Sequence, residues 1–331
     1  MLLRIFKGTG PGVIFLIVIS LMLLWGGAIL HPQSPPGFNY EELPMPLYGL
    51  LKMGIGGSSF LGVLFSFALV ILLAFLLVHF NTVVFFINER TFLPALFFIL
   101  FSGFIPQNQI MNPVLPAAVF LMLALNRIMD GYRKQDVAYN FFDAALLIST
   151  GSLFYANLIW FGILVLIGIA LLRTGSLIEI FISVLGLLTP YLITFGFYYV
   201  SGYDLQELIM ITEKNLFSFS ADYEFSRLSV VTIISAGFLV IVSIVYLFSV
   251  INNKKIKSRK TFWILLWSFL ISVVLYLAVP SVSMEMFWIT AIPSSYFLAH
   301  YFVFVKGKLF PEVIFSLLIL FVLIIQVWYL V

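Results

Sequence analysis

The chain has 331 residues, of which 63% are hydrophobic and 9% are charged. Soluble globular domains are about 45–50% apolar and about 25% charged, so this composition excludes a water-soluble enzyme, a nucleic-acid-binding module and a disordered chain. The formal net charge is +3 and there is no cysteine, which excludes disulfides, thiolate metal sites and cysteine nucleophiles. We therefore expect an all-α, polytopic integral membrane protein.

Apolar runs follow one another along the chain, and each is a candidate transmembrane helix because a helix needs about 20 apolar residues to cross a hydrocarbon core of about 30 Å. The eleven runs cover 12–30, 57–87, 91–104, 114–128, 140–155, 157–172, 179–201, 229–251, 261–279, 284–304 and 309–331. The first run has no A-x-A cleavage site and is interpreted as a retained helix. We treat 1–331 as one transmembrane domain.

The lengths of these runs are uneven. The run 57–87 is longer than a membrane requires, whereas the four runs that follow it are short. Each short pair, 91–128 and 140–172, is compatible either with two full spans or with a re-entrant hairpin that packs against longer neighbours. The first 200 residues therefore form a helical core, followed by an outer loop over 201–228 and a four-helix portion over 229–331.

Basic residues predict the orientation. If the N-terminus is cytoplasmic, all of the 17 Lys and Arg residues except Lys52, Lys214 and Arg227 fall on the cytoplasmic side. Cytoplasmic loops of membrane proteins carry such an excess of positive charge. The pattern predicts that the C-terminus lies outside.

Two outer loops are long enough to carry structure. In the first, 31–56, Pro46 can occupy the first helical position ahead of an apolar stripe of leucines. In the second, Asp204 and Glu207 have the spacing of a capping box. Both patterns predict a short helix lying on the membrane surface.

Chemically useful side chains concentrate in the same loops. Ionisable residues in the middle of the membrane are the usual mark of an ion-coupled carrier. The spans of this chain contain almost none. Outer-loop carboxylates that could converge on a general-base or divalent-cation site are Glu41, Glu42, Asp204, Glu207, Asp222, Glu224 and Glu285. Solvated loop charge is the simpler interpretation of this set.

Several blocks of sequence resemble a family of uncharacterised bacterial polytopic inner-membrane proteins over about the first 200 residues. The blocks are LLRIFKGTGPGVIF, PMPLYGLL, ERTFLPALFFILFSG, MNPVLPAAVFLMLAL and NFFDAALLISTGSLFYANLIWFGIL. Members of that family often carry an automatic label of β-carotene monooxygenase. The three histidines, His31, His79 and His300, cannot supply the four-histidine iron site that this label implies.

A wider resemblance is to membrane-embedded glycosyltransferases of the GT-C type, which place acidic residues and a surface helix in the first outer loop. It implies that Glu41 and Glu42 act as a catalytic base or ligands of a divalent cation. It also implies that Lys52, Lys214 and Arg227 bind the phosphate of a polyprenyl-phosphate lipid. This chain departs from the GT-C pattern in its short first outer loop, which has no Asp.

Three functional hypotheses remain. The leading one is a non-catalytic subunit or scaffold of a bacterial cell-envelope complex for secretion, export or assembly, with membrane-protein partners, no cofactor and no nucleic acid. The second is a GT-C-like transferase that acts at the outer face on a lipid-linked sugar. The third is a carrier or flippase for a neutral or lipidic solute. The scarcity of polar residues in the spans favours the subunit, whereas the loop carboxylates favour the enzyme.

Overall fold

A computed structural model describes residues 2–32, 43–132, 138–172, 177–218, 227–305, 307 and 309–330, and within them the regular structure is entirely helical. The α-helices are α1 Leu2–Phe6, α2 Pro11–Leu30, α3 Pro46–Ile55, α4 Ser59–Val84, α5 Leu93–Ser102, α6 Val114–Asp130, α7 Ala138–Ser152, α8 Gly162–Leu172, α9 Leu177–Ser201, α10 Leu205–Phe217, α11 Arg227–Val250, α12 Ile256–Ala278, α13 Phe287–Phe304 and α14 Leu309–Leu330. Short 3₁₀ turns cover Pro106–Asn108, Ala156–Phe161, Ile251–Asn253 and Met284–Met286.

Every predicted apolar run contains a helix. Six helices are long and apolar enough to cross a membrane, namely α2, α4, α9, α11, α12 and α14. The other runs form α5, α6, α7, α8 and α13, which are shorter or less apolar. The chain is therefore a membrane-embedded, all-α protein, as its composition predicts.

The connecting segments gather at two ends of the helix bundle. At the end that contains the N-terminus, the backbone N–H of Leu3 donates to Oε1 of Glu312 over 3.1 Å. At the opposite end, which we call the far end, the N–H of Leu47 donates to the carbonyl of Leu153 over 3.1 Å. Segments that the sequence assigns to one side of the membrane thus contact one another.

The helix α5 is too short to cross a membrane. Its ten residues span about 15 Å, half of a hydrocarbon core, and all ten are buried. It ends beside Leu24, which lies six residues before the end of α2 and so about 9 Å inside the far end. The helix α5 therefore ends inside the bundle, and the turn that follows it extends toward α3 at the far end.

Side-chain amides satisfy the carbonyl groups where α5 ends. Nε2 of Gln109 lies 3.0 Å from the carbonyl oxygens of both Leu24 and Ser102. Nε2 of Gln326 lies 2.9 Å from the carbonyl oxygen of Gly103. Because an unpaired backbone group in hydrocarbon costs several kcal/mol, these bonds are what allow a helix to end inside the bundle.

Both predicted surface helices are present at the far end. In α3, Pro46 lies in the first turn and Gly56 ends the helix with φ of 70°, a left-handed conformation that glycine adopts without strain. The carboxylate of Asp204 caps α10 by accepting the N–H of Gln206 over 2.8 Å. Buried Tyr48 packs α3 against Ile110, so that α3 lies over the turn of the α5–α6 hairpin.

Candidate functional site

Hydrogen bonds of two asparagine side chains tie four segments together at the far end. Nδ2 of Asn157 donates to the carbonyl of Asn215 over 3.1 Å and to Oγ of Ser281 over 3.0 Å. Nδ2 of Asn215 donates to the carbonyl of Leu43 over 2.8 Å, and the Ser281 hydroxyl donates to the carbonyl of Leu216 over 2.7 Å. We call Asn157, Asn215 and Ser281 the amide clamp. It fixes α10 and the chain ahead of α3 to the bundle.

Glu285 lies beside the clamp and is only 1% exposed. Its Oε1 accepts the hydroxyl of Tyr155 and the N–H of Ser283, each over 3.1 Å, and its Oε2 accepts the Ser283 hydroxyl. Glu285 therefore joins the 3₁₀ turn before α13 to the turn before α8.

Neither of the other described carboxylates of the set joins Glu285. Asp204 caps α10, and Glu207 is exposed in the first turn of that helix. Four further residues of the set lie outside the described part of the chain, namely Glu41, Glu42, Asp222 and Glu224. Among the described residues, no three His, Asp or Glu side chains come together as a set of metal ligands.

The predicted phosphate-binding residues lie on three different helices. Lys52 and Lys214 occupy the last turns of α3 and α10, where a positive charge interacts favourably with the helix dipole. Arg227 is the first residue of α11, and its side chain is exposed. Arg227 belongs to α11, a helix that also lines a cavity.

That cavity is a cleft of about 460 Å³ between α11 and α12, closed behind by α13 and the end of α5. Its lining is almost wholly hydrocarbon and includes Val230 and Gly237 of α11 and Tyr276 of α12. Three lining residues carry a hydroxyl, and two of these hydroxyls, on Thr290 and Ser294, are bonded to carbonyls at the start of α13. Thr290 donates to the carbonyl of Met286 over 3.1 Å, and Ser294 donates to the carbonyl of Thr290 over 2.8 Å.

The end that contains the N-terminus holds a second group of polar side chains. Nζ of Lys7 donates to the carbonyl of Val303 over 3.4 Å, and Nζ of Lys254 lies 3.6 Å above the ring of Phe304. Burial lowers the pKa of both lysines, and Glu89 opposes that change. These contacts anchor the N-terminal segment and the α11–α12 turn to the end of α13.

The three histidines lie apart from one another. His31 follows the last residue of α2 and its backbone N–H bonds to the carbonyl of Gly27. His79 stacks on Phe75 within α4, and buried His300 packs on Phe304 at 4.7 Å between ring centroids. This separation agrees with the exclusion of a four-histidine iron site.

Comparison with known proteins gives one match. A family model described as a family of unknown function (DUF6427) matches residues 47–330. No curated protein and no solved structure matches the chain. The matched residues include the amide clamp, the cleft and all of the helices from α4 to α14, whereas Glu41 and Glu42 precede them.

Proposed function

The chain belongs to this family of unknown function, and from that premise we propose that it is a non-catalytic integral membrane subunit, or scaffold, of a bacterial cell-envelope assembly. The observation that carries the proposal is the amide clamp. Its polar groups bond to the protein's own surface helix and loops. A surface helix held in this way is a fixed platform on which another protein can dock.

The platform, which consists of α3 and α10, presents apolar side chains as well as charges. On α10, Ile209, Met210 and Phe217 are exposed by 53%, 42% and 60%. On α3, Leu50 and Met53 are exposed by 62% and 80%. Exposed apolar groups at a polar boundary are typical of protein–protein or membrane contact sites, and rigid attachment lowers the entropic cost of binding a partner.

We also infer the placement in the cell. The N-terminal end, which carries Lys7 and Lys254, faces the cytoplasm, and the far end faces the outside of the bacterial inner membrane. The excess of positive charge in the predicted cytoplasmic loops supports this orientation. In this placement all eleven apolar segments lie in the membrane, and α5–α6 enters it from the cytoplasmic side.

Site-specific photo-crosslinking in native membranes tests the subunit proposal. A photoreactive phenylalanine analogue replaces Met210 on the platform, and the matched control replaces Phe181, which is 64% exposed on α9. We expect a protein adduct of one defined mass from position 210 and only lipid adducts from position 181. If both positions gave only lipid adducts, the platform would be an ordinary interfacial helix and the proposal would fail.

The transferase is the second candidate, and one observation favours it. Through Tyr48, α3 packs over the α5–α6 turn, so the chain that follows Glu41 and Glu42 is held above short buried helices. The GT-C resemblance implies the same arrangement. This candidate requires one of the two glutamates and a divalent cation at the far end.

A further inference from the structure

We propose that the cleft between α11 and α12 binds one acyl chain of an anionic glycerophospholipid, and that Arg227 binds the phosphate of its headgroup. This lipid site is independent of the subunit role proposed above. Four features of the cleft carry the inference: its dryness, its depth, its volume and the charge at its mouth.

Water cannot occupy the cleft favourably. A buried water needs two to four polar partners. The hydroxyls of Thr290 and Ser294 are already bonded to the carbonyls of Met286 and Thr290, which leaves Tyr276 as the one other lining residue with a hydroxyl. The rest of the lining offers mainly hydrocarbon, from residues such as Phe101, Val230 and Met286. In a bilayer the cleft is therefore filled by hydrocarbon.

The depth of the cleft matches one leaflet. On α11 the lining extends from Val230 to Val240, which is about 15 Å along a helix and half of a hydrocarbon core of about 30 Å. On α13 it involves Phe287, Thr290 and Ser294, which belong to the first half of that helix. The occupant is therefore a lipid of the leaflet at the far end.

The volume of the cleft fits a single acyl chain. At about 30 Å³ for a water-sized group, 460 Å³ holds about 15 such groups. That is sufficient for most of one acyl chain and too little for two. The second chain of the lipid would then remain in the bilayer beside the exposed faces of α11 and α12.

Arg227 supplies charge complementarity at the mouth. It precedes Val230 by three residues, so it lies less than one helical turn, about 4.5 Å, beyond the lining. A lipid whose chain runs down the cleft brings its phosphate to that level, and arginine binds phosphate through two parallel hydrogen bonds. Tyr276 lines the same end of the cleft from α12, where aromatic rings sit among headgroups.

Gly237 provides a direct test. A Cβ atom at this position would meet nothing within 4 Å, so a side chain can be added at this lining position without a clash at Cβ. Gly196 of α9 has the same open surroundings but does not line the cleft. The variants Gly237→Phe and Gly196→Phe are therefore a matched pair, and Gly237→Leu is a smaller substitution should Gly237→Phe not fold.

The experiment is native mass spectrometry of the full chain, purified in a mild detergent from native membranes. We expect one anionic glycerophospholipid per chain, an occupancy at least tenfold lower in Gly237→Phe or Gly237→Leu, and unchanged occupancy in Gly196→Phe. Arg227→Gln should lose the preference for anionic headgroups, whereas Lys214→Gln should keep it. The proposal is overturned if the wild type carries no lipid, a polyprenyl phosphate or a neutral lipid. It is overturned equally if filling the cleft leaves the occupancy unchanged.

Discussion

The side-chain amide of Gln109 lies 3.0 Å from the carbonyl oxygen of Leu24, in the middle of a different helix. The same nitrogen also reaches the carbonyl of Ser102 at the end of α5. One residue thus joins the turn after α5 to α2 and donates to two buried carbonyls. The end of the short helix α5 depends on this contact.

Gln109→Leu should destabilise the protein strongly. It removes both hydrogen bonds and leaves the carbonyl of Ser102 without this partner, whereas the carbonyl of Leu24 keeps its intrahelical bond within α2. We expect a loss of about 1–3 kcal/mol, measured by thermal unfolding in detergent. Gln326→Leu, which removes the bond to Gly103, should cost a similar amount.

The control is Gln206→Leu, because Gln206 is exposed on α10. A surface substitution of this kind usually changes stability by less than about 0.5 kcal/mol. Equal unfolding temperatures for Gln109→Leu and Gln206→Leu would show that the hairpin does not need its amide.

Asn215→Ala should weaken the attachment of α10 while leaving the rest of the fold intact. The substitution removes the side-chain bond to the carbonyl of Leu43 and weakens the attachment of the platform. A loss of about 1–3 kcal/mol of local stability corresponds to faster hydrogen exchange within α10 by about one to two orders of magnitude. Gln206→Ala on the same helix is the control, and equal exchange in the two variants would refute the clamp.

Composition and local chemistry predicted much of the fold. Apolar runs of the right length mark the helices, and Pro46 and Asp204 each predict a helix start that the structure confirms. These signals are local, since a helix start or an apolar run involves residues close together in sequence. The end of α5 was harder to predict, because Gln326, which is distant in sequence, bonds to the carbonyl of Gly103 there.

The candidate site depends on contacts that sequence spacing does not encode. Asn157 and Asn215 are separated by several helices, and neither differs locally from an ordinary loop asparagine. The cleft is lined by α11 and α12 together with α13 and the end of α5, which are far apart in sequence. A signal that could have indicated buried polar groups is the cluster of amides in PQNQIMN, between two apolar runs.

Gly186→Ala should weaken the attachment of α9. A Cβ atom on Gly186 would lie 2.6 Å from the carbonyl oxygen of Phe142 and 3.0 Å from Cβ of Ala145 on α7. Overpacking of this kind costs about 1–3 kcal/mol, whereas Gly196→Ala on the same helix meets nothing and should gain up to about 1 kcal/mol from helix propensity. Thermal unfolding of the two variants compares them directly, and an unfolding temperature for Gly186→Ala as high as that for Gly196→Ala would contradict close packing of α9 on α7.

The double substitution Glu41→Gln and Glu42→Gln separates the subunit from the transferase. Both residues precede the matched family region. The double substitution removes their charge and alters no residue of the amide clamp or the cleft. If the protein is a non-catalytic subunit, cells that carry the variant at normal levels should keep their envelope glycans and the crosslink from position 210. Quantitative glycan analysis and the crosslink are measured in the same membranes. Loss of a glycan with the crosslink intact would instead assign catalysis to this pair, because a carboxylate that acts as a base or metal ligand cannot be replaced by a neutral amide.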